Sequence, residues 1–238
     1  MGMITQAVIS AGGFGTRLRP LTDTLPKPMV PILGKPLLEW HIEQFKKHGV
    51  SEFIFILHHF PEVVTDYFQD GSSRGVRIEY ATEPEPLGSI GGMKLIEANL
   101  HERFFFIYGD IFSRMDYSAM VRVYATKKDP IGMQRVKKTD DYADADVAEL
   151  DKDDRFIAIH PKPHHGSYAN AYRMRGAFIL EKAVCDYIPK GPADLGKEIL
   201  PRIVAAGKNF YGYECDDYSK GVDTLEKLKE AEDHLRAQ

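Results

Sequence analysis

Two kinds of apolar spacing alternate along the first half of the chain. Ile4–Ile9 is a short strand-forming run, and Lys35–Gly49 follows with apolar residues at Leu38, Ile42 and Phe45, the spacing of one helix face. Pro36 suits the first turn of that helix and Gly49 its end. Phe53–Leu57 is continuously apolar, as expected of a strand covered on both faces. Pro61–Phe68 then reads as helix, Val76–Tyr80 as strand, Gly88–Leu100 as helix and Phe104–Tyr108 as a fourth, buried strand. Strand and helix in regular succession predict a parallel sheet with helices on both sides.

Beyond Asp110 the pattern loosens. Ser118–Thr126 reads as helix, and Ile131–Val136, Val147–Leu150 and Phe156–Ile159 as short strands, with the polar stretch Lys137–Ala145 as an exposed turn. Met174–Leu180 reads as strand, Asp194–Ala206 as helix, Phe210–Tyr213 as strand and Leu225–Leu235 as a closing amphipathic helix. The fold class this predicts is α/β, a Rossmann-like doubly wound mixed sheet with a small inserted β lid and no hard domain boundary. Ligands of such sheets gather at the carboxyl ends of strands. The segment after the first strand and Gly109-Asp110 after the fourth both fall on that edge.

Composition narrows the picture by exclusion. The chain has 238 residues, 43% hydrophobic and 28% charged, as an ordinary globular domain does. No apolar run approaches the roughly 20 residues of a membrane span. The N-terminal MGMITQAVISAGG lacks the basic region of a secretory signal, so the cytoplasm is the expected compartment. Lys and Arg number 31 against 35 Asp and Glu, a net charge of −4 without long blocks of one sign, which argues against a nucleic-acid surface. Cys185 and Cys215 have neither metal nor redox spacing and are expected to be buried free thiols. The nine histidines include the pairs His58-His59 and His164-His165, but none has zinc-ligand spacing. They are expected on loops or at the surface, with His160 and His164 in reach of a substrate. Ser10 lacks the nucleophile elbow of a covalent hydrolase.

The most specific chemistry lies in Ala7–Leu33. The first strand breaks at Ser10-Ala11 into Gly12-Gly13-Phe14-Gly15-Thr16, and Arg17, Arg19 and Lys27 follow. Glycines after a strand let backbone N–H groups approach an anion closely. A Walker A loop would need Gly-Lys-Ser/Thr where Gly15-Thr16-Arg17 stands, and a dinucleotide loop would need a third Gly at Leu18. Asp110, just beyond a buried strand, and Asp223 near the end of the chain are fixed acids suited to a hard cation such as Mg²⁺. For Asp223 the alternative is a helix cap, since Thr-Leu-Glu follows it.

The composite GGxGTRL with Pro26-Lys27-Pro28-Met29 resembles the signature of the sugar-1-phosphate nucleotidylyltransferases, or nucleotide-sugar pyrophosphorylases. That resemblance implies a single catalytic domain over residues 1–238, of the nucleotide-diphospho-sugar transferase type, with the sugar part roughly in 127–222. It implies that Ala11, Gly12, Gly13, Gly15 and Thr16 hold a nucleoside triphosphate and that Arg17 and Lys27 neutralise the departing pyrophosphate. The segment Glu85-Pro86-Leu87-Gly88 would lie against the nucleobase, and Asp110 and Asp223 would bind Mg²⁺. Pro161-Lys162-Pro163 resembles the family's Glu-Lys-Pro, whose Lys contacts the sugar phosphate; Pro161 in place of the Glu removes one sugar contact. Asp146 stands where the family often has a glycine near the sugar, and a carboxylate there either bonds a hydroxyl or repels an acidic sugar. Asn170 and Gly176 match an Asn and an inner Gly beside the sugar, a bulge being the alternative for Gly176.

The reaction implied is transfer of a nucleotidyl group from a triphosphate to a sugar 1-phosphate, with release of pyrophosphate. The wording SAGGFGTRL and PLGSIGG is most similar to the heptose-phosphate group, and a compact single domain fits short heptose- or mannose-1-phosphate guanylyltransferases as well as short uridylyltransferases, so base and sugar stay open. Two alternatives stand beside it: a cytidylyltransferase acting on an alcohol phosphate or phosphonate, and a catalytically silent nucleotide-sensing subunit. Retention of Arg17, Lys27, Asp110 and Asp223 together argues against the second. No nucleic-acid or membrane partner is expected, and a homodimer is the default assembly.

Overall fold

The computed structural model describes residues 2–140, 145–164, 166–168 and 170–237. Residues 141–144 of the expected turn Lys137–Ala145, and His165, lie outside the described residues. In chain order the elements are β1 (Gln6–Ser10), β2 (Pro31–Ile32), β3 (Lys35–Pro36), α1 (Leu37–Lys46), β4 (Glu52–Leu57), α2 (Pro61–Phe68), β5 (Arg77–Thr82), β6 (Arg103–Tyr108), β7 (Ile111–Ser113), α3 (Tyr117–Tyr124), β8 (Pro130–Lys138), β9 (Val147–Leu150), β10 (Phe156–His160), β11 (Ala171–Glu181), α4 (Leu200–Ala205), β12 (Asn209–Glu214), β13 (Ser219–Gly221) and α5 (Leu225–Arg236). They form two compact units. The first comprises Met3–Pro86, Ile107–Tyr117 and the chain from Asp217 onward; the second comprises chiefly Leu87–Phe106 and Ser118–Asp216.

In the first unit β1, β4 and β5 run parallel, with Ala7 opposite Phe53 and Phe53 opposite Ile78. Phe53–Leu57 is buried throughout, which is why that run lacks alternation. Phe45 of α1 stands edge-on to Phe53 at 6.3 Å, and Phe68 of α2 edge-on to Phe55 at 5.7 Å. Full burial of such rings contributes about 2–3 kcal/mol each. A second cluster, Ile32, Leu37, Phe112, Val222 and Ala231, holds α5 and the ribbons β2–β3 and β7–β13 together. Trp40 packs against it and donates its indole N–H to the Ile32 carbonyl at 3.1 Å.

The second unit contains the mixed strands expected after Asp110. β11 is antiparallel to β8 and β9, β9 to β10, and β12 runs parallel to β8. Phe156 and Phe210 meet edge-on at 5.2 Å in its core.

Several expected elements differ. Gly88–Leu100 is not a helix but two 3₁₀ turns, Gly91–Leu95 and Glu97–Asn99. Gly88 at φ +78° cannot sit in a right-handed helix, and Gly91 and Gly92 are poor helix formers. Asp194–Ala206 divides into a π turn at Leu195–Ile199 and α4, because Pro201 supplies no N–H to bond backwards. α1 starts two residues later than expected, since Lys35–Pro36 pairs with Pro31–Ile32. The ribbon strands β2, β3, β7 and β13 were not foreseen, being two or three residues long and too short to show a period.

Candidate active site

The glycine loop, the cations Arg17 and Lys27 and the acids Asp110 and Asp223 all lie in the first unit. Beyond β1 the Ala11 N–H bonds the Ile56 carbonyl at 2.8 Å, which carries the sheet one residue into the loop. A Cβ on Gly12 would come within 3.1 Å of Glu83 Oε2 and of His58 Cβ, while one on Gly13 would meet open space. Gly15 adopts φ +65°, and a Cβ there would lie 2.9 Å from both Lys27 and Thr22. The Thr22 hydroxyl donates to the Gly15 carbonyl at 2.8 Å, and buried Leu18 anchors the turn Thr16–Leu18. The loop is thus pinned at Gly12, Gly15 and Leu18, with Gly13, Phe14 and Thr16 exposed between.

Two ion pairs stand beside this loop. The Lys27 ammonium is 2.5 Å from Asp110 Oδ2, and the Arg17 guanidinium is 2.7 Å from Asp223 Oδ2. Gly109 brings Asp110 in: its N–H bonds the Ser10 carbonyl at 2.8 Å, and a Cβ would stand 2.9 Å from the same oxygen. The ribbon β7–β13 brings in Asp223, with Gly221 opposite Ile111 and the Val222 N–H bonding the Asp110 carbonyl at 2.7 Å. Thr224, not Asp223, caps α5 by accepting from the Lys227 N–H, so the Asp223 carboxylate faces cations instead. Burial works against its charge, but Lys227 at 2.8 Å, Arg17 and Lys27 outweigh that and hold the carboxyl below its ordinary range.

Three functional candidates escaped the sequence reading. His58 follows β4 and Glu83 follows β5, on the same carboxyl edge as the glycine loop and Asp110. His58 Nδ1–H donates to the Glu83 carbonyl at 3.0 Å, and buried Glu83 sets the space left for Gly12. The strand-end rule applied to every strand would have found both. Exposed Phe14 leans edge-on to His58 at 5.4 Å. His41 is the third, and it corrects the expectation that the histidines lie on loops: it is buried in α1 and bonded to the backbone of Gly109. Burial lowers its pKa from 6.5 to about 4, against the smaller raising effects of Gly109 and Asp110. Cys215 is likewise only partly buried, whereas Cys185 is buried and its thiol pushed up to about 11.

A pH test follows from His41. Its folded-state pKa lies below its unfolded value, so the unfolded chain takes up a proton that the folded one refuses, and stability falls as pH drops from 6.5 towards about 4. The loss from this one group is about 3 kcal/mol. In urea unfolding at pH 7 and pH 4.5, His41→Asn should show a smaller difference between the two than the unaltered protein.

The sugar-directed residues lie in the second unit. Asp146 and Lys162 meet, but through the Lys162 backbone: its N–H donates to Asp146 Oδ1 at 3.0 Å, and the Lys162 side chain is exposed. Asp146 Oδ2 also comes within 3.4 Å of where a Cβ on Gly196 would be. Gly176 falls in the irregular stretch of β11 between Met174 and Phe178, and Asn170 is exposed just before that strand. His160 donates to Glu149 at 2.8 Å and stacks on Tyr168 at 3.9 Å, and His164 donates to the Ala145 carbonyl at 2.7 Å. Gly88 is held against Ala193, while Glu85 and Pro86 are exposed at the end of the first unit's segment. A cavity of about 600 Å³ in the second unit is lined by Lys127, Asp151, Arg155, Asn209 and Tyr211 among others. None of the expected site residues lines it, and two of its cations are paired, Lys127 with Asp154 at 2.8 Å and Arg155 with Asp151 at 3.1 Å.

Asp110 and Asp223 suit a Mg²⁺ ion held by one or two carboxylates with substrate phosphates completing its shell. Among the described residues no group of three or more His, Cys, Asp or Glu is placed to hold a metal alone. No helix among them is long and apolar enough to cross a membrane.

The Nucleotidyl transferase family model matches residues 6–238. The chain is 33% identical over 226 residues to a UTP-glucose-1-phosphate uridylyltransferase of Synechocystis sp., covering 89% of this chain and 58% of that protein. It is 32% identical over 225 residues to a mannose-1-phosphate guanylyltransferase of Mycobacterium tuberculosis, covering 92% and 61%. It therefore spans about three fifths of the length of these relatives. The solved structure of HddC from Yersinia pseudotuberculosis complexed with GMP-PN superposes with a TM-score of 0.79 at 23% identity, covering 98% of this chain and all of that one, and so shares its α/β fold. With the glycine loop, its cations and the strand-end acids all inside the matched residues, the chain belongs to the Nucleotidyl transferase family.

Proposed function

We propose that the protein transfers a nucleotidyl group from a nucleoside triphosphate to a sugar 1-phosphate, forming an NDP-sugar and pyrophosphate. The observation that carries this is the pairing of Lys27 with Asp110 and of Arg17 with Asp223, two cations of the glycine-loop stretch met by two acids from distant parts of the chain. A phosphate oxygen of the sugar phosphate attacks the α-phosphorus in line, and the bond to the pyrophosphate breaks. That nucleophile is already ionised at neutral pH, so no general base is required. The work is positioning and neutralisation of charge.

Backbone N–H groups at Gly12, Gly13 and Gly15 hold the triphosphate, and Arg17 and Lys27 take the charge that grows on the leaving group. Their partners keep the cluster balanced before substrate arrives. Asp110 and Asp223 would hold Mg²⁺, which supplies further charge neutralisation on the phosphates when bound. Lys162 orients the sugar phosphate, and Asp146, Asn170 and Gly176 meet the sugar. His41 stays neutral beneath Gly109-Asp110 and fixes that turn without adding a charge.

Four nucleoside triphosphates tested against a set of sugar 1-phosphates, scored by pyrophosphate release, decide the matter. At least one pair should be turned over; silence across the whole matrix would favour a nucleotide-sensing role.

A further inference from the structure

The first turn of α5 carries a cation where a helix favours an acid. Thr224 caps the helix by accepting the Lys227 N–H at 3.3 Å, and the third residue after such a cap is commonly Glu or Gln, which bonds back to the cap. An acid there also suits the positive end of the helix dipole, and a lysine opposes it. The Lys227 side chain serves something outside the helix. Its ammonium lies 2.8 Å from Asp223 Oδ1, while Arg17 holds Oδ2 of the same carboxylate at 2.7 Å.

Asp223 Oδ1 is buried and makes no hydrogen bond, because the ammonium is close enough but not aligned for one. A buried acceptor in that state keeps a lone pair for a cation of other geometry, which fits a carboxylate ligand of Mg²⁺. With the Lys27–Asp110 pair, three cations meet two acids, all within the first unit. A divalent cation arriving alone must therefore enter a group that already carries one positive charge in excess. Arriving with a triphosphate, it brings the anions to which the displaced cations can turn. Lys227 is built for that exchange: its side chain is 40% exposed, and a lysine is a point charge on a flexible stem.

We propose that Lys227 is a positioning residue of the phosphate site, which holds Asp223 against a lone divalent cation and passes to the phosphates when cation and triphosphate arrive together. The inference rests on the function proposed above for its anion, and on Asp223 as a metal ligand. Arg17 and Lys27 belong to the glycine-loop stretch, whereas Lys227 comes from the other end of the chain and from no part of that motif.

The test is two titrations of the full chain, with circular dichroism to confirm folding. Mn²⁺, a hard cation in place of Mg²⁺, is titrated alone and its free ion counted by electron paramagnetic resonance; the preformed complex of Mg²⁺ with inorganic pyrophosphate is titrated by calorimetry. Lys227→Gln should bind Mn²⁺ alone about fivefold or more tightly than the unaltered protein, and the pyrophosphate complex about fivefold or more weakly. Lys227→Arg, which keeps the charge, should stay within about twofold of the unaltered protein in both. A lysine that only supported the helix would not move the two affinities in opposite directions. Either affinity left unchanged in the folded Gln variant overturns the proposal, and so does Mn²⁺ binding that survives Asp223→Asn in full. Both titrations are read without turnover, so a chain that shows the opposed shifts yet releases pyrophosphate with no substrate pair would lose the proposed reaction and keep this role for Lys227.

Discussion

Arg17→Ala should lower pyrophosphate release about a thousandfold or more while leaving the fold intact. The Arg17 side chain is 68% exposed, and an exposed ion pair such as that with Asp223 is worth under about 1 kcal/mol to stability. Transfer, by contrast, needs a cation where charge grows on the leaving pyrophosphate, and water is a poor substitute because it must reorient as the charge moves. Lys27→Ala should match it in activity. It should also cost some stability, because the Lys27 side chain is only 12% exposed and its loss leaves Asp110 without its partner. Steady-state pyrophosphate release and urea midpoints for both variants separate the two effects. Near-normal turnover in Arg17→Ala would remove the core of the proposed mechanism.

Gly88→Ala should have the largest effect on stability. The residue sits at φ +78°, and an added Cβ would lie 2.4 Å from the Ala193 carbonyl oxygen. A left-handed conformation costs a residue with a Cβ about 1–2 kcal/mol. The contact adds to this, because backbone cannot yield as a flexible side chain does. Relieving it means parting Leu87–Gly91 from Ala193, which loosens the Ala193 N–H bond to Leu87 at 3.0 Å and the Ile90 N–H bond to Ala193 at 3.2 Å. Together these amount to about 3–4 kcal/mol, read as a lower urea midpoint. Gly13→Ala is the control. Its Cβ meets nothing within 4 Å, so its unfolding should move by less than about 0.5 kcal/mol.

Conformational demand and chemical demand coincide at Gly15 but separate at Gly13 and Gly88. Gly15 has a positive φ and two side chains against it, so it shapes the loop. Gly13 has neither and is exposed, which leaves its backbone open to a ligand. A motif read only as a string of glycines cannot make that distinction, because the distinction depends on Lys27, Thr22 and Ala193, residues that the string does not contain.

By itself the sequence determined the parallel strands β1, β4 and β5, the mixed strands after Asp110, the glycine loop with its two cations, and the two acids. Those features depend on near neighbours: an unbroken apolar run marks a doubly covered strand, and a loop of fixed spacing keeps its chemistry wherever the rest of the chain goes. Only the tertiary structure decided that Arg17 meets Asp223 and Lys27 meets Asp110, that Thr224 rather than Asp223 caps the last helix, and that Gly88 breaks a helix the composition allowed. It alone also brought His58 and Glu83 to the loop and His41 to the Gly109-Asp110 turn. Each of these joins residues far apart in the chain, and burial, register and charge between such residues exist only once the chain has closed on itself.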